Sequence, residues 1–407
     1  DVPKLPLHRA RVRMFPVWGL LKVQLTTTQP IATTQPIATT PLPKMISWTG
    51  DWLTSMFVGD TDKAGCAEPR VPKTPPALQF QIHRFVDTFI DFAMTGDIFD
   101  GDPRSLPLPP PTVLPAAKRV VAIGDLHGDL TKTRETLRLA GLIDERDHWC
   151  GGKTTVVQVG DQLDRGPKEI HILLLLERLK QEAPKTGGCF IAINGNHETM
   201  NCKGDFRYAQ EGFAEFDVWK KWYTIGQRWK RGCDINAPPL RPVSDKVPQI
   251  AVARWQGIQC GGPITKRFLA QQNTVQIVGK SLFVHGGLLE THLERGMDRI
   301  NIEVQEWMHA PYGAFKMPRA VRGRDAIVWS RHFGAEDEED CQCELVDEVL
   351  HRTKTSRMII GHTIQQTGIN TACADRVFRI DVGMSAGCVD GDPQALEIIG
   401  DTNVQVL

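Results

Sequence analysis

Three short apolar runs in the middle of the chain share one form. Residues 120–129 (VVAIGDLHGD), 156–166 (VVQVGDQLDRG) and 190–198 (FIAINGNHE) each begin with apolar, mostly β-branched positions and then break into Gly with Asp, His or Asn. Runs of this length and composition predict buried strands: one ending near Gly124, one over 154–159 and one ending at Asn194. Between them, Leu130 to Ala140 and Ile170 to Leu179 are spaced as helices. The second of these is apolar nearly all round and is therefore expected to be buried, with Pro167 and Glu169 suited to its start. Strand–helix alternation of this kind predicts an α/β fold. Further strands are expected at 274–278, 281–284, 357–360, 377–382 and 395–399, and a helix from Thr291 to Met308. Residues 200–273 break the rhythm. Phe213, Phe216, Trp219, Trp222, Tyr223 and Trp229 fall at helical spacing and predict a helical cap over the sheet edge. Aromatics mixed with Lys220, Lys221 and Arg228 also suit base stacking, but a packed cap is the simpler reading.

Upstream, Leu78, Ile82, Phe85, Val86, Phe89 and Phe92 recur at steps of three and four. They predict a helix over 78–94, stopped by Thr95-Gly96, with Asp87, Asp91 and Arg84 on its other face. That face carries no basic cluster, so packing on the rest of the chain is expected rather than a membrane surface. Residues 103–115 are Pro-rich and read as a stiff linker. Residues 1–77 read as a disordered extension. TTQPIA repeats at 27–32 and 33–38, and no acidic residue occurs from Val2 to Gly50. This segment is read as a tail, as translated leader before Met45, or as an organellar presequence. The resulting division is 1–77, 78–115 and a catalytic domain over 116–407, with the cap at about 200–273.

Composition narrows the function. Net charge is zero, with 41% hydrophobic and 24% charged residues, so no global field favours nucleic acid or an anionic membrane. No apolar run approaches the ~18 residues that span a bilayer. Ten Cys spread over 407 residues are not a disulfide framework, so a reducing compartment is expected, the cytoplasm, with a mitochondrion or other organelle as the alternative. Cys341 and Cys343, after the acidic run 336–340, are read as free thiols at a helix start, with metal binding or a strained Cys-x-Cys disulfide as the alternative. Gly152-Lys153-Thr154 resembles the end of a phosphate-binding loop, but Asp147 stands where the first Gly belongs and a strand follows, so an ordinary turn is expected.

In open α/β sheets ligands gather at the carboxyl ends of strands, where this chain places Asp, His and Asn, donors suited to divalent metals. The blocks GDLHG, GDQLDRG and GNHE, about 35 residues apart, with His285-Gly-Gly and Gly-His362-Thr downstream, resemble the calcineurin-like metallophosphoesterases, more narrowly the phosphoprotein phosphatases. With Gly-Asp-Phe-Arg-Tyr at 204–208, the pattern is most similar to the Shewanella-like protein phosphatases over roughly Phe80 to Leu407. The resemblance implies two packed mixed β-sheets flanked by helices, and two divalent ions, manganese with iron or zinc as alternatives. It implies Asp125, His127 and Asp161 for the first ion and Asp161, Asn196, His285 and His362 for the second. It implies in-line attack by an activated water on a phosphoprotein or phosphopeptide. His197 would be the general acid, oriented by Asp164, and Arg165 the phosphate clamp. Arg331, in Trp-Ser-Arg, is the preferred second phosphate arginine, with Arg207 as alternative. Residues 382–390 depart from the Ser-Ala-Pro-Asn-Tyr-Cys block of the serine/threonine enzymes, which leaves serine/threonine against tyrosine preference open. A small-molecule phosphoesterase, such as a dinucleoside polyphosphate hydrolase, is the alternative function.

Overall fold

The computed structural model describes residues 74–97, 108–335 and 340–407. The expectations for residues 1–73, for 103–107 of the linker and for acidic residues 336–339 lie outside the described residues. Each predicted apolar run becomes a strand of one of two sheets. The first holds β2 (Arg119–Ile123), β3 (Thr155–Gln158), β4 (Cys189–Ala192), β10 (Leu396–Ile399) and β11 (Asn403–Val406), in the order β11-β10-β2-β3-β4. β2, β3 and β4 run parallel, and β10 and β11 close the edge antiparallel. The second holds β1 (Val113–Leu114), β5 (Val275–Val278), β6 (Ser281–Val284), β7 (Arg357–Ile360), β8 (Asn370–Ala372) and β9 (Val377–Arg379), in the order β1-β5-β6-β7-β9-β8.

Alternation along the strands gives the first sheet two apolar faces. Val120, Ala122, Val157, Val159 and Ile191 pack between the sheets against Val278, Phe283, Ile359 and Phe378. Val121, Ile123 and Val156 turn the other way, onto Leu137 of α2 (Leu130–Leu139) and Ile172, Leu176 and Leu179 of α3 (Glu169–Glu182). Each fully buried branched side chain contributes roughly 1.5–3 kcal/mol, and this double burial holds the first sheet between the second sheet and its helices.

Several expectations are corrected. Val113 and Leu114 are not linker. They pair in parallel with Ile277 and Val278, and the Gln276 side chain donates to the carbonyls of Pro111 and Thr112. The helix expected over 291–308 is two, α8 (Glu290–Arg295) and α9 (Met297–His309), parted by Gly296 at φ 88°. The short strands β8 and β11 escaped notice because three or four residues carry little periodicity. Cys343, expected as a free thiol, is bonded to Cys373 in the β8–β9 turn, while Cys341 remains a thiol. The partner lies 30 residues away and is invisible to a local motif.

Residues 71–407 form one unit, within which α1 (Pro76–Thr95) packs on α5 (Phe213–Gly232). Gly96 caps α1 in the left-handed conformation, as Thr95-Gly96 implied. The face it buries is not the whole expected stripe. Val86, Ile90 and Met94 are buried, and Phe89 meets Trp222 and Trp229, while Leu78, Phe85 and Phe92 are exposed. Asp91, expected outward, is buried in a bidentate pair with Arg267, which also holds Glu177 of α3. Between β4 and β5 the chain carries α4 (Asn196–Cys202), α5, α6 (Val252–Ile258) and α7 (Pro263–Arg267). Phe216 and Trp219 of α5 are core residues with Leu173, Ile258 and Ile264. Among the described residues no helix is long and apolar enough to cross a membrane.

Candidate active site

Both sheets end their strands at one place. Asp125 and His127 follow β2, Asp161 and Asp164 follow β3, and Asn196 and His197 follow β4. His285 follows β6 and His362 follows β7. All eight side chains are buried. The turns are tight enough to require glycine. A Cβ on Gly160 (φ 106°) would lie 2.7 Å from the Gly195 nitrogen, and one on Gly361 would lie 2.3 Å from Asp125 Oδ1. Glu198 ties the turns together. Its carboxylate accepts from the backbone N–H groups of Gly195 (2.7 Å), Asp161 (2.8 Å) and Gln162 (2.9 Å).

The histidines are aimed by backbone carbonyls. His127 Nδ1 donates to Leu163 O (3.0 Å), which turns Nε2 toward Asp125 (3.9 Å) and Asp161 (3.8 Å). His285 Nδ1 donates to Val159 O (2.9 Å), which turns Nε2 toward Asn196 Oδ1 (2.8 Å) and Asp161 Oδ2 (3.2 Å). His362 Nε2 is buried without a hydrogen-bond partner, while its backbone N–H reaches Asp125. Donor atoms of Asp161, His285 and His362 lie within 4.8 Å of one another, as do those of His127, Asp161 and His197. Burial, Asp381 and Asp161 together drive the Asp125 carboxyl well above the ordinary range. Burial alone would also raise Asp161, but His285 and His197 hold it well below. Convergent carboxylates, ring nitrogens fixed in the ligating tautomer by carbonyls, and an orphaned imidazole nitrogen fit bound divalent cations.

His197 stands beside this cluster. Its Nδ1 donates to Asp164 Oδ2 (2.6 Å), and Nε2 lies 3.7 Å from Asp161 Oδ2. Burial disfavours a charged ring there, but Asp161 and Asp164 outweigh it and lift His197 to about 9. Cations beside it would oppose the proton and lower that value again. Asp164 is anchored by residues to which the motifs assigned no role. Arg254 of α6, fully buried, bonds Asp164 Oδ1 (2.6 Å), both oxygens of Glu169 and Asn201 Oδ1 (2.8 Å). Asn201 Nδ2 also donates to Asp164 Oδ1 (2.9 Å). Against burial, Arg254 keeps Asp164 low. Glu169 is thus part of this network and not merely a favourable charge at a helix start. Arg254 lies 90 residues from Asp164 in a stretch without a motif, and no sequence signal marked it.

The arginines divide. Arg165 packs its guanidinium 4.9 Å from the centre of the Tyr208 ring, and its Nε is buried without a hydrogen-bond partner. Tyr208, at the rim, also lies 5.3 Å from the His197 ring and was missed as a site residue. Arg331 donates to Thr363 Oγ1 (2.9 Å), next to His362, with Trp329 edge-on to the His362 ring. Arg207 is an exposed side chain paired with its neighbour Asp205, and does not join the site.

Residues 118–366 match the calcineurin-like phosphoesterase family. Among curated proteins, Shewanella-like protein phosphatase 2 of Arabidopsis thaliana is 45% identical over 338 residues, covering 80% of this chain and 86% of that one. Shewanella-like protein phosphatase 1 of Plasmodium berghei (strain Anka) is 28% identical, covering 68% and 69%. Among solved structures, a cold-active protein-tyrosine phosphatase of a psychrophilic Shewanella species superposes with a TM-score of 0.57 at 21% identity, over 74% of this chain and 83% of that chain.

Proposed function

The chain belongs to the calcineurin-like phosphoesterases and, within them, to the Shewanella-like protein phosphatases, and from that premise we propose that it is a metal-dependent phosphoprotein phosphatase cleaving phosphate monoesters of Ser, Thr or Tyr side chains. The observation that carries this reading is the convergence of Asp125, His127, Asp161, Asn196, His285 and His362 from five strand ends, with the hydrogen-bonded pair His197–Asp164 beside them.

Asp125, His127 and Asp161 would hold one divalent ion and Asp161, Asn196, His285 and His362 the other, with manganese preferred over iron or zinc. Such a pair of ions supplies an acidified water and neutralises charge on the phosphoryl group. The protein's own groups do the rest. Arg165 and Arg331 bind the non-bridging phosphoryl oxygens, where charge spreads in the transition state. Packing on Tyr208 keeps the Arg165 fork in place. His197 presents Nε2 to the leaving oxygen and donates its proton as the ester bond breaks. Asp164 holds Nδ1 so that Nε2 faces the reaction, and Arg254 holds Asp164.

The test is turnover of an aryl phosphate and of matched pSer, pThr and pTyr peptides in the presence of Mn²⁺. Asp125→Asn should abolish both, and His197→Asn should slow them by roughly 10²–10⁴-fold, with circular dichroism unchanged. Near wild-type rates in both variants sink the assignment. Turnover of the aryl phosphate but of none of the peptides would keep the chemistry and remove the protein substrate.

A further inference from the structure

A separate concavity has none of the metal-type donors in its lining. It encloses about 810 Å³ between the start of α8 and the loop over residues 318–326. Three arginines of that loop, Arg319, Arg322 and Arg324, line it with exposed side chains. None of the three is held by a carboxylate among the described residues. Two of the three acidic groups on the same walls are already engaged. Glu303 is paired with Arg295 and Arg299, and Asp325 with His332. Glu294 is the one lining carboxylate outside an ion pair among the described residues.

The loop displays these arginines on a fixed frame. Ala320, Val321, Ala326 and Ile327 are buried beneath it, and the Ile327 N–H bonds the Ala320 carbonyl at 2.9 Å. A preset loop loses little freedom on binding. Both walls also lead to the metal-type site. The N–H groups of Gly286 and Gly287, directly after His285, bond the Ile327 carbonyl at 2.8 and 3.0 Å, and the loop continues through Trp329 to Arg331. Seven residues separate Arg324 from Arg331, a span of at most about 25 Å.

We propose that this arginine groove docks an acidic stretch of the protein substrate, within about seven residues of the phosphorylated side chain. The proposal rests on the protein-phosphatase reading above. Guanidinium groups suit carboxylates because their paired N–H donors match both oxygens. The groove would select substrates by flanking charge while the site supplies the chemistry. It would act mainly on capture, and its effect would weaken as salt rises.

Two measurements test this on the full chain. In the first, kcat/KM is compared for a phosphopeptide carrying four Glu about six residues from the phosphoresidue and for the same peptide carrying Gln there. The wild type should prefer the acidic peptide on the order of tenfold at low salt. The triple variant Arg319→Ala, Arg322→Ala, Arg324→Ala should lose that preference and keep aryl phosphate turnover. A preference absent from the wild type, or kept by the variant, overturns the proposal. In the second, fluorescence anisotropy follows the acidic peptide without its phosphate, so that docking is read apart from the reaction. Binding by the wild type that the triple variant loses supports the groove even if no phosphopeptide is hydrolysed. Equal binding by both proteins overturns it, as does tighter binding of single-stranded RNA than of the peptide at the same site.

Discussion

His127, Asp161, Asp164, Arg165 and His362 all sit in the left-handed backbone region, with φ between 45° and 69°. A side chain there costs about 1–2 kcal/mol, and such residues persist where surrounding bonds over-determine them. Glu198 supplies those bonds from one side of the site and Arg254 from the other. Arg254 is the more exposed to test, because it answers two buried carboxylates at once. Removing one partner of a buried pair costs about 3–5 kcal/mol. Arg254→Ala should therefore lower the melting temperature and cut kcat more than KM, because Asp164 loses its anchor and His197 its orientation. Arg254→Lys should recover part of the stability but less of kcat, since an ammonium cannot span Asp164, Glu169 and Asn201 together. Unchanged melting in Arg254→Ala would show that the network contributes nothing.

At the level of elements, α1 shows how a stripe legible in sequence is rotated by its partner. The apolar positions were read correctly as a helix, but the buried edge is Val86, Ile90 and Met94, not Leu78, Phe85 and Phe92. Two contacts on α5 and α7 set that rotation. Asp91 must reach Arg267, and Gly226 lets the helices close: a Cβ there would fall 2.7 Å from Ile90 Cδ1 and 2.8 Å from Val86 Cγ1. Gly226→Val should push α1 outward at a cost of about 1–3 kcal/mol. Hydrogen exchange over 76–95 should then speed up while the strands of both sheets keep their protection. No change in that segment would mean α1 is held by its ion pairs alone.

For the whole molecule, the two sheets matter because neither holds the site by itself. The first contributes Asp125, His127, Asp161, Asn196 and His197, the second His285 and His362. Cations bound there would cross-link the sheets and add RT ln(1 + [L]/Kd) of stability, about 2.7 kcal/mol at a hundredfold excess over Kd. Removing divalent metal with a chelator should lower the melting temperature, and Mn²⁺ should restore it. Asp161→Asn should show little of that dependence. A melting temperature indifferent to chelation would argue that the carboxylate cluster holds no cation.

The sequence by itself determined the strands that begin in apolar, mostly β-branched runs, β2 to β7, β9 and β10, because such runs have little choice but burial, but not β1, β8 or β11. It determined the donors as well, because a Gly turn after such a run leaves Asp, His or Asn at the sheet edge. Tertiary structure decided what supports them. Arg254 reaches Asp164 across 90 residues, Cys373 finds Cys343 across 30, and Arg207 turns to Asp205 while Arg331 reaches Thr363 beside His362. Local chemistry is written in local spacing, whereas a buried charge is answered by whichever chain segment the packing brings alongside it, and no spacing encodes that.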